Sequence, residues 1–310
     1  MDHRSARSFT PSAPRRGKVV VFIILLLVAA FSLFRFQLFR TDQASFATAK
    51  ELLNSWDLVK AEAELSALAE RSPSLDVART YGNVLLMRGE LRKADAVFQK
   101  VLLRDSIERA WVLYKLGNTK FLLGQLDSAE TLARELLRAS AESGNKVHSA
   151  EAYHLLGRIA FNNASYDSAL RFQTASFGLS REARSLQGQA NALRQLGVLA
   201  WYGGRLDSAL KNFYEPALVL YREINDRIGE ATTLSNIGLV YANRLDWESQ
   251  LRYQLLAFDI RKRIGDQVGL ADSYYFLDDT TWTALREDLL LPSERTRESS
   301  RTHPLWKLAR

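Results

Sequence analysis

The chain contains no cysteine. It therefore has no disulfide, no thiolate ligand for a metal and no cysteine nucleophile. Histidine is scarce too: of four residues, only His148 and His154 lie in the body of the chain, and their surroundings do not supply the other ligands of a metal site. No glycine-rich phosphate loop follows a strand pattern. We therefore expect no enzymatic activity, no cofactor, no metal and no small-molecule substrate.

Proline is also rare, with six residues in 310, while hydrophobic residues make up 47% of the chain. Proline breaks the interior of a helix, because it lacks a backbone N–H and its ring clashes with the preceding turn. Its scarcity permits long helices, and the abundant alanine and leucine favour them. The composition predicts an all-α protein.

The formal net charge of +7 is concentrated at one end of the chain. Residues 1–40 carry seven Lys and Arg against Asp2 alone, whereas the other 270 residues carry 35 basic and 34 acidic residues. A nucleic-acid-binding domain needs a basic face on its folded part. The nearly neutral body therefore argues against a nucleic-acid partner.

The N-terminal region has two parts. Residues 1–18 are rich in Arg, Ser and Pro, and we expect a disordered basic segment. Residues 19–39 contain only three polar side chains. Because about 20 apolar residues cross a bilayer, 19–39 is predicted to be a transmembrane helix or signal anchor. The positive charges before it place the N-terminus in the cytosol and the body outside, as in a single-pass membrane protein.

A cleaved signal peptide is the alternative interpretation of the same residues. Its apolar core would be 19–28, and cleavage near Ala30 would follow small residues. The mature protein would then be secreted or periplasmic rather than anchored to the membrane.

The body of the chain is repetitive. The string Asp-Ser-Ala recurs every 40 residues, and a glycine lies twelve residues before each of its alanines. The glycine series extends further in both directions, and its members are Gly82, Gly117, Gly157, Gly197 and Gly238. Apolar residues recur at helical spacing around each glycine and each alanine, so each unit is predicted to be two helices joined by a turn. Glycine costs up to about 1 kcal/mol inside a helix, and its recurrence indicates that paired helices cross closely there.

These units resemble the tetratricopeptide-repeat (TPR) family. The resemblance rests on Leu116-Gly117, Leu156-Gly157 and Leu196-Gly197 in first helices, and on Ala94-x3-Phe98 and Ala209-x3-Phe213 in second helices. It covers residues 42–277, about six units plus half a unit, and the 40-residue period is similar to a bacterial type of this family. The resemblance implies a right-handed superhelical solenoid of stacked helix-turn-helix repeats, here preceded by one transmembrane helix.

The resemblance also implies that the first helix of each unit lines a concave groove, which binds a protein or an extended peptide. Asparagine can hold peptide amides, arginine a carboxylate, and aromatic rings apolar side chains. The candidate groove residues are Arg79, Asn83, Tyr114, Asn118, His154, Arg158, Asn162, Arg194, Trp201, Tyr202 and Asn243. For Phe121, Phe161 and Trp201, the alternative interpretation is packing between units.

The favoured function is a membrane-anchored scaffold for protein–protein interaction. The alternative is the sensory part of a larger bacterial signalling protein or enzyme, with a kinase, a transcriptional regulator or a caspase-like protease as its output. That alternative rests on resemblance alone.

The repeat phase breaks at Asp278, which stands where a glycine is expected 40 residues after Gly238. One base inserted after the codon of Leu277 would restore Leu-Gly and allow an aromatic residue three positions later. We therefore hypothesise that residues 278–310 are an irregular tail produced by a frameshift or misassembly. The alternative is a genuine, divergent tail.

Overall fold

The computed structural model describes Arg35 and residues 40–72, 74–104 and 109–276. Throughout these ranges the chain is helical apart from short connections. In chain order the helices are α1 (40–54), α2 (Leu58–Arg71), α3 (Leu75–Met87), α4 (Leu91–Arg104), α5 (Arg109–Leu122), α6 (Leu126–Ser143), α7 (Lys146–Asn162), α8 (Tyr166–Glu182), α9 (Leu186–Tyr202), α10 (Leu206–Ser208), α11 (Glu215–Glu223), α12 (Arg227–Asn243), α13 (Trp247–Ile264) and α14 (Gln267–Phe276). A π-helical segment, Ala209–Tyr214, joins α10 directly to α11.

Consecutive helices pack as antiparallel pairs, and each pair packs against the next. The first helices of neighbouring pairs also touch one another: α5 contacts α7, α7 contacts α9, and α9 contacts α12. Helices that touch across repeated units lie on the inner side of a curved array. We call α5, α7, α9 and α12 the first-helix layer.

The turns repeat as regularly as the helices. Five of the described first helices begin after a side chain that accepts a hydrogen bond from the backbone N–H three residues later, and these caps are Ser74, Asn145, Ser185, Asp226 and Asp266. Such a cap stabilises a helix by about 1 kcal/mol. Inside the hairpins, a left-handed residue stands two positions before the second helix, as at Gly204 with φ 72°. Ala164 and Leu245 adopt the same conformation, at a cost of about 1–2 kcal/mol each.

A glycine stands where the two helices of a hairpin cross. A methyl group on Gly82 would lie 2.7 Å from the ring of Phe98, and one on Gly197 would lie 2.5 Å from the ring of Tyr214. Both rings are at most 1% exposed, so they are held in place by the surrounding core. The alanines that follow the glycines by twelve residues are fully buried, and they are Ala94, Ala129, Ala169 and Ala209. The predicted close crossing of paired helices is confirmed.

The fifth hairpin of the described array, formed by α9 and by α10 with α11, differs from the sequence expectation in one detail. The spacing assigns Phe213 to the crossing with Gly197, but Tyr214 occupies it. The π-helical segment Ala209–Tyr214 accounts for the shift, because a π turn contains one more residue than an α turn. Pro216 accounts for the π-helical segment. In an α-helix, the ring of Pro216 would clash with the carbonyl of Asn212, and its nitrogen carries no hydrogen to donate to that carbonyl.

The predicted membrane location requires correction. Residues 19–39 lie outside the described part of the chain, apart from Arg35, as do 1–18 and 278–310. None of the helices that the structure describes is long and apolar enough to cross a bilayer. The described helices carry charged residues between their apolar ones, whereas a span needs about 20 predominantly apolar residues. This finding counts against a single-pass membrane protein with a cytosolic N-terminus and an extracytoplasmic body, and that prediction is wrong.

The crossing at Gly197 generates a testable prediction. Gly197→Ala is expected to lower the free energy of unfolding by about 1–3 kcal/mol, because its methyl group would overlap the buried ring of Tyr214. Gly178→Ala, inside α8, is the matched control: its methyl group meets nothing within 4 Å, so it should stabilise the protein by about 0.5–1 kcal/mol. Urea unfolding of both variants measures the difference, and equal effects would contradict the crossing.

Candidate functional site

Arg158 connects two consecutive units of the first-helix layer. Its guanidinium, on α7, donates a hydrogen bond to the side-chain oxygen of Asn118 on α5. The guanidinium carbon also lies 4.1 Å from the centre of the Phe121 ring. A cation over an aromatic face is stabilised by the ring quadrupole. Asn118 and Phe121 thus hold Arg158 in place without neutralising its charge.

Arg194 stands one unit further along, on α9. Its Nε–H donates to the hydroxyl oxygen of Tyr221 at 3.2 Å, and the Tyr221 hydroxyl donates to Oδ1 of Asn191 at 2.8 Å. Neither Tyr221 nor Asn191 is among the candidate residues that the sequence pattern indicated. Asn191 lies three residues before Arg194 and so on the same face of α9, a spacing that could have indicated it. Tyr221 belongs to a second helix, and the pattern of the first helices could not indicate it.

The charge of Arg194 reaches Arg158, and the charges of both arginines reach Tyr114 of α5. Burial lowers the pKa of Arg158 to about 10, and the positive charge of Arg194 contributes to this shift. Burial also raises the pKa of Tyr114 well above its ordinary value, so its hydroxyl is neutral at pH 7. We call Tyr114, Asn118, Arg158, Arg194 and Tyr221 the arginine cluster.

No carboxylate in the described part of the chain forms an ion pair with Arg158 or Arg194. Asp226 is close enough to influence the pKa of Arg194. However, its two oxygens accept hydrogen bonds from the backbone N–H of Gly229 at 2.9 Å and from Gln187 at 2.8 Å. The arginine cluster is therefore a cationic site held by neutral hydrogen-bond partners.

His154 lies beside the cluster but inside the protein, with 4% of its surface exposed. Its Nδ1 and the Gln173 side-chain oxygen are 3.0 Å apart, and the Gln173 amide donates to the His154 carbonyl at 2.9 Å. Burial lowers the pKa of His154 to about 3, and the charges of Arg158 and Arg194 lower it as well. His154 is therefore neutral at pH 7 and joins α7 to α8 instead of facing an open groove.

The remaining polar candidates differ from the arginine cluster in their exposure and their partners. Arg79 forms an ion pair with Asp76 at 3.5 Å on α3, and Asn83 is partly buried one turn further along that helix. Asn162 and Asn243 are exposed at the C-terminal ends of α7 and α12. The structure thus brings together four of the eleven candidates: Tyr114, Asn118, Arg158 and Arg194.

The aromatic candidates pack between units. The ring centre of Tyr202 lies 4.6 Å from that of Tyr166 and 5.7 Å from that of Phe161. Trp201 packs against the core between α9 and α13. Phe121 packs against the core formed by α6 and α7. These contacts favour the alternative interpretation of packing for Phe121, Phe161 and Trp201.

The described residues contain no group of three or more His, Asp or Glu side chains that could hold a metal ion. The expectation of no metal and no cofactor stays a prediction.

Comparison with known proteins identifies the fold. No protein-family model matches the sequence, and no curated protein is similar to it. Among solved structures, a signal transduction ATPase with a tetratricopeptide-repeat sensor from Pyrococcus horikoshii matches with a TM-score of 0.53 and 13% identity, over 86% of this chain and 43% of that protein. The described chain has the fold of a TPR array.

Two further structures share the fold of this TPR array. A Rap protein in complex with competence and sporulation factor has a TM-score of 0.54 and 12% identity, over 81% of this chain and 90% of that one. Aspartyl phosphate phosphatase F from Bacillus subtilis has a TM-score of 0.50 and 12% identity, over 74% of this chain and 66% of that one. Identities this low establish the fold and not the function.

His154 should make the stability of the TPR array depend on pH. Its pKa is about 3 in the folded chain, against an ordinary value of 6.5. Between these two values the unfolded chain binds a proton that the folded chain does not bind, so stability falls as the pH falls from about 6.5 towards 3. The slope from this residue reaches about 1.4 kcal/mol per pH unit.

The measurement is the free energy of unfolding against pH for the wild-type chain and for His154→Asn, which cannot titrate but can still donate towards Gln173. The wild-type curve should fall more steeply below about pH 6. Parallel curves would show that His154 is not held neutral.

Proposed function

We propose that this TPR array is a protein-interaction scaffold whose first-helix layer binds an extended, acidic segment of a partner protein. The observation that carries the proposal is the arginine cluster. Arg158 and Arg194 stand on consecutive units of the first-helix layer. Burial, and then the positive charge of Arg194, lowers the pKa of Arg158 to about 10, whereas the hydroxyl of Tyr221 helps to raise the pKa of Arg194. Neither arginine is paired with a carboxylate within the described ranges of the chain.

An acidic ligand would relieve an unfavourable arrangement. Two cations in a partly buried site repel each other more strongly than they would in water. A guanidinium has five N–H donors, and the bond to Asn118 uses one donor of Arg158, as the bond to Tyr221 uses one of Arg194. The remaining donors can form charge-assisted hydrogen bonds with a carboxylate, which are about twice as strong as neutral ones.

The neighbouring neutral groups suit the rest of a peptide. Asn118 and Asn191 carry amides that can bind the backbone of an extended chain, and Tyr114 carries a neutral hydroxyl. The Rap protein of the same fold was solved in complex with competence and sporulation factor, which supports ligand binding as a use of this fold. Binding, without catalysis or a nucleic-acid partner, is the proposed activity.

Selection from a library of displayed 12-residue peptides, followed by affinity measurements, tests this proposal. The full-length chain should enrich peptides that contain Asp or Glu, and Arg158→Gln/Arg194→Gln should weaken their binding at least tenfold, which corresponds to about 1.4 kcal/mol. Binding should also weaken with added salt, because the contact is between charges.

The matched control is Arg134→Gln/Arg171→Gln, which removes the same charge from exposed positions on the second helices α6 and α8. It should change affinity less than twofold. Thermal unfolding confirms that each variant is folded. Enrichment of neutral or basic peptides, or an equal loss of affinity in both double variants, would overturn the proposed function.

A further inference from the structure

The two ends of the described array touch each other. The indole N–H of Trp56, in the turn between α1 and α2, donates a hydrogen bond to the backbone carbonyl of Asn225 at 3.1 Å. Asn225 lies in the turn between α11 and α12, 169 residues further along the chain. Both residues adopt positive φ, 61° and 54°. The contact therefore joins two turns of defined shape.

Two further contacts join the first two hairpins to residues near the end of the described array. A Cβ atom on Gly89, between α3 and α4, would lie 2.1 Å from a methyl carbon of Val268 at the start of α14, and 3.5 Å from the Cβ of Val268. A Cβ atom on Gly265 would lie 3.5 Å from a methyl group of Val59 on α2. The first two hairpins thus lie along the turns that follow α11 and α13.

Among the described residues, the contacts between the ends include one hydrogen bond, worth about 0.5–1.5 kcal/mol, and the approach of Val59 and Val268 to two glycine turns. Val59 and Val268 remain 54% and 51% exposed. Small interfaces within a chain permit relative motion of the parts that they join. The ends can therefore separate without unfolding the hairpins.

The contact is continuous with the arginine cluster. The backbone N–H of Asp226, next to Asn225, donates to the carbonyl of Tyr221 at 2.8 Å. The hydroxyl of Tyr221 accepts the hydrogen bond from Arg194. Tyr221 thereby connects the α11–α12 turn to Arg194, so movement of this turn affects the position of Arg194.

We propose that the array is a ring closed by a reversible clasp, in which Trp56, Val59 and Gly89 meet Asn225, Gly265 and Val268, and that the clasp opens to admit a ligand to the first-helix layer. The closure is inferred from these contacts. The gating of a ligand rests on the proposed function, so the two are tested separately.

Closure is tested by an engineered disulfide. The native chain has no cysteine, so Gly89→Cys/Val268→Cys introduces the only two thiols. Their Cβ atoms would be 3.5 Å apart, which lies within the range of disulfides, about 3.5–4.5 Å. Diamide, which takes up the two electrons and two protons of the thiols, should produce an intramolecular disulfide, visible as a faster-migrating band that dithiothreitol reverses.

The matched control is Gly124→Cys/Val268→Cys. Gly124 occupies the same turn position one hairpin later, with φ 75° against 77° for Gly89, but a Cβ atom there meets nothing within 4 Å. This pair should give no intramolecular disulfide. An equal yield from both pairs, or no disulfide from the first, would overturn closure.

A second measurement covers the case in which Gly89→Cys does not fold. Trp56→Phe keeps an aromatic ring but removes the N–H that donates to Asn225. Hydrogen exchange should become faster in both contacting turns, near residues 56–60 and 225–229, and remain unchanged in α7 and α8. Unchanged exchange in both turns would overturn the clasp.

Gating is measured as the association rate of a fluorescent hexaglutamate peptide. The oxidised Gly89→Cys/Val268→Cys protein should bind at least tenfold more slowly than its reduced form, while the Gly124→Cys/Val268→Cys protein should not respond to oxidation. Equal rates in the oxidised and reduced protein would overturn the gate. Failure of the reduced protein to bind any acidic peptide would overturn the proposed function instead, and the disulfide yield would still decide closure.

Discussion

The close crossing of two helices at a glycine is the constraint on which the rest of this structure depends. Where Gly82 and Gly197 meet Phe98 and Tyr214, the helix backbone and an aromatic ring leave no room for a side chain. Each crossing fixes the shape of one hairpin, and a hairpin of fixed shape stacks on the next in a fixed direction. The curvature of the array accumulates from these equal steps. The side-by-side contact of α5, α7 and α9 is the result.

That arrangement concentrates charge in a way that a single hairpin could not. Arg158 and Arg194 come from different units and approach each other because their helices are neighbours in the first-helix layer. Their direct partners, Asn118 and Tyr221, are neutral. Moreover, the same accumulated curvature brings the first two hairpins against the turn that contains Asn225. The binding site and the contact between the ends are thus consequences of one repeated geometry.

The sequence predicted the parts of the structure that repeat. The phase of the glycines and alanines indicated the hairpins, their crossings and the helices that carry the arginines. This repeat pattern did not predict the structure at positions where one unit carries a residue that differs from those of other units. Gln173 stands at the crossing with Gly157, where the crossings at Gly82 and Gly197 have an aromatic ring. Its amide draws His154 into a buried pair. Pro216 shifts the fifth crossing from Phe213 to Tyr214. The contact between Trp56 and Asn225 lies beyond any local pattern, because it depends on the summed curvature of five hairpins.

The central claim is that the arginine cluster is a binding site for carboxylates and not only a part of the packing. Nuclear magnetic resonance of the arginine Nε–H groups tests it directly, during titration of the full-length chain with hexaglutamate. The Nε–H signals of Arg158 and Arg194 should shift together and saturate, while that of Arg134, exposed and paired with Glu130 on α6, should stay in place. Unchanged signals of Arg158 and Arg194, or an equal shift of Arg134, would contradict it.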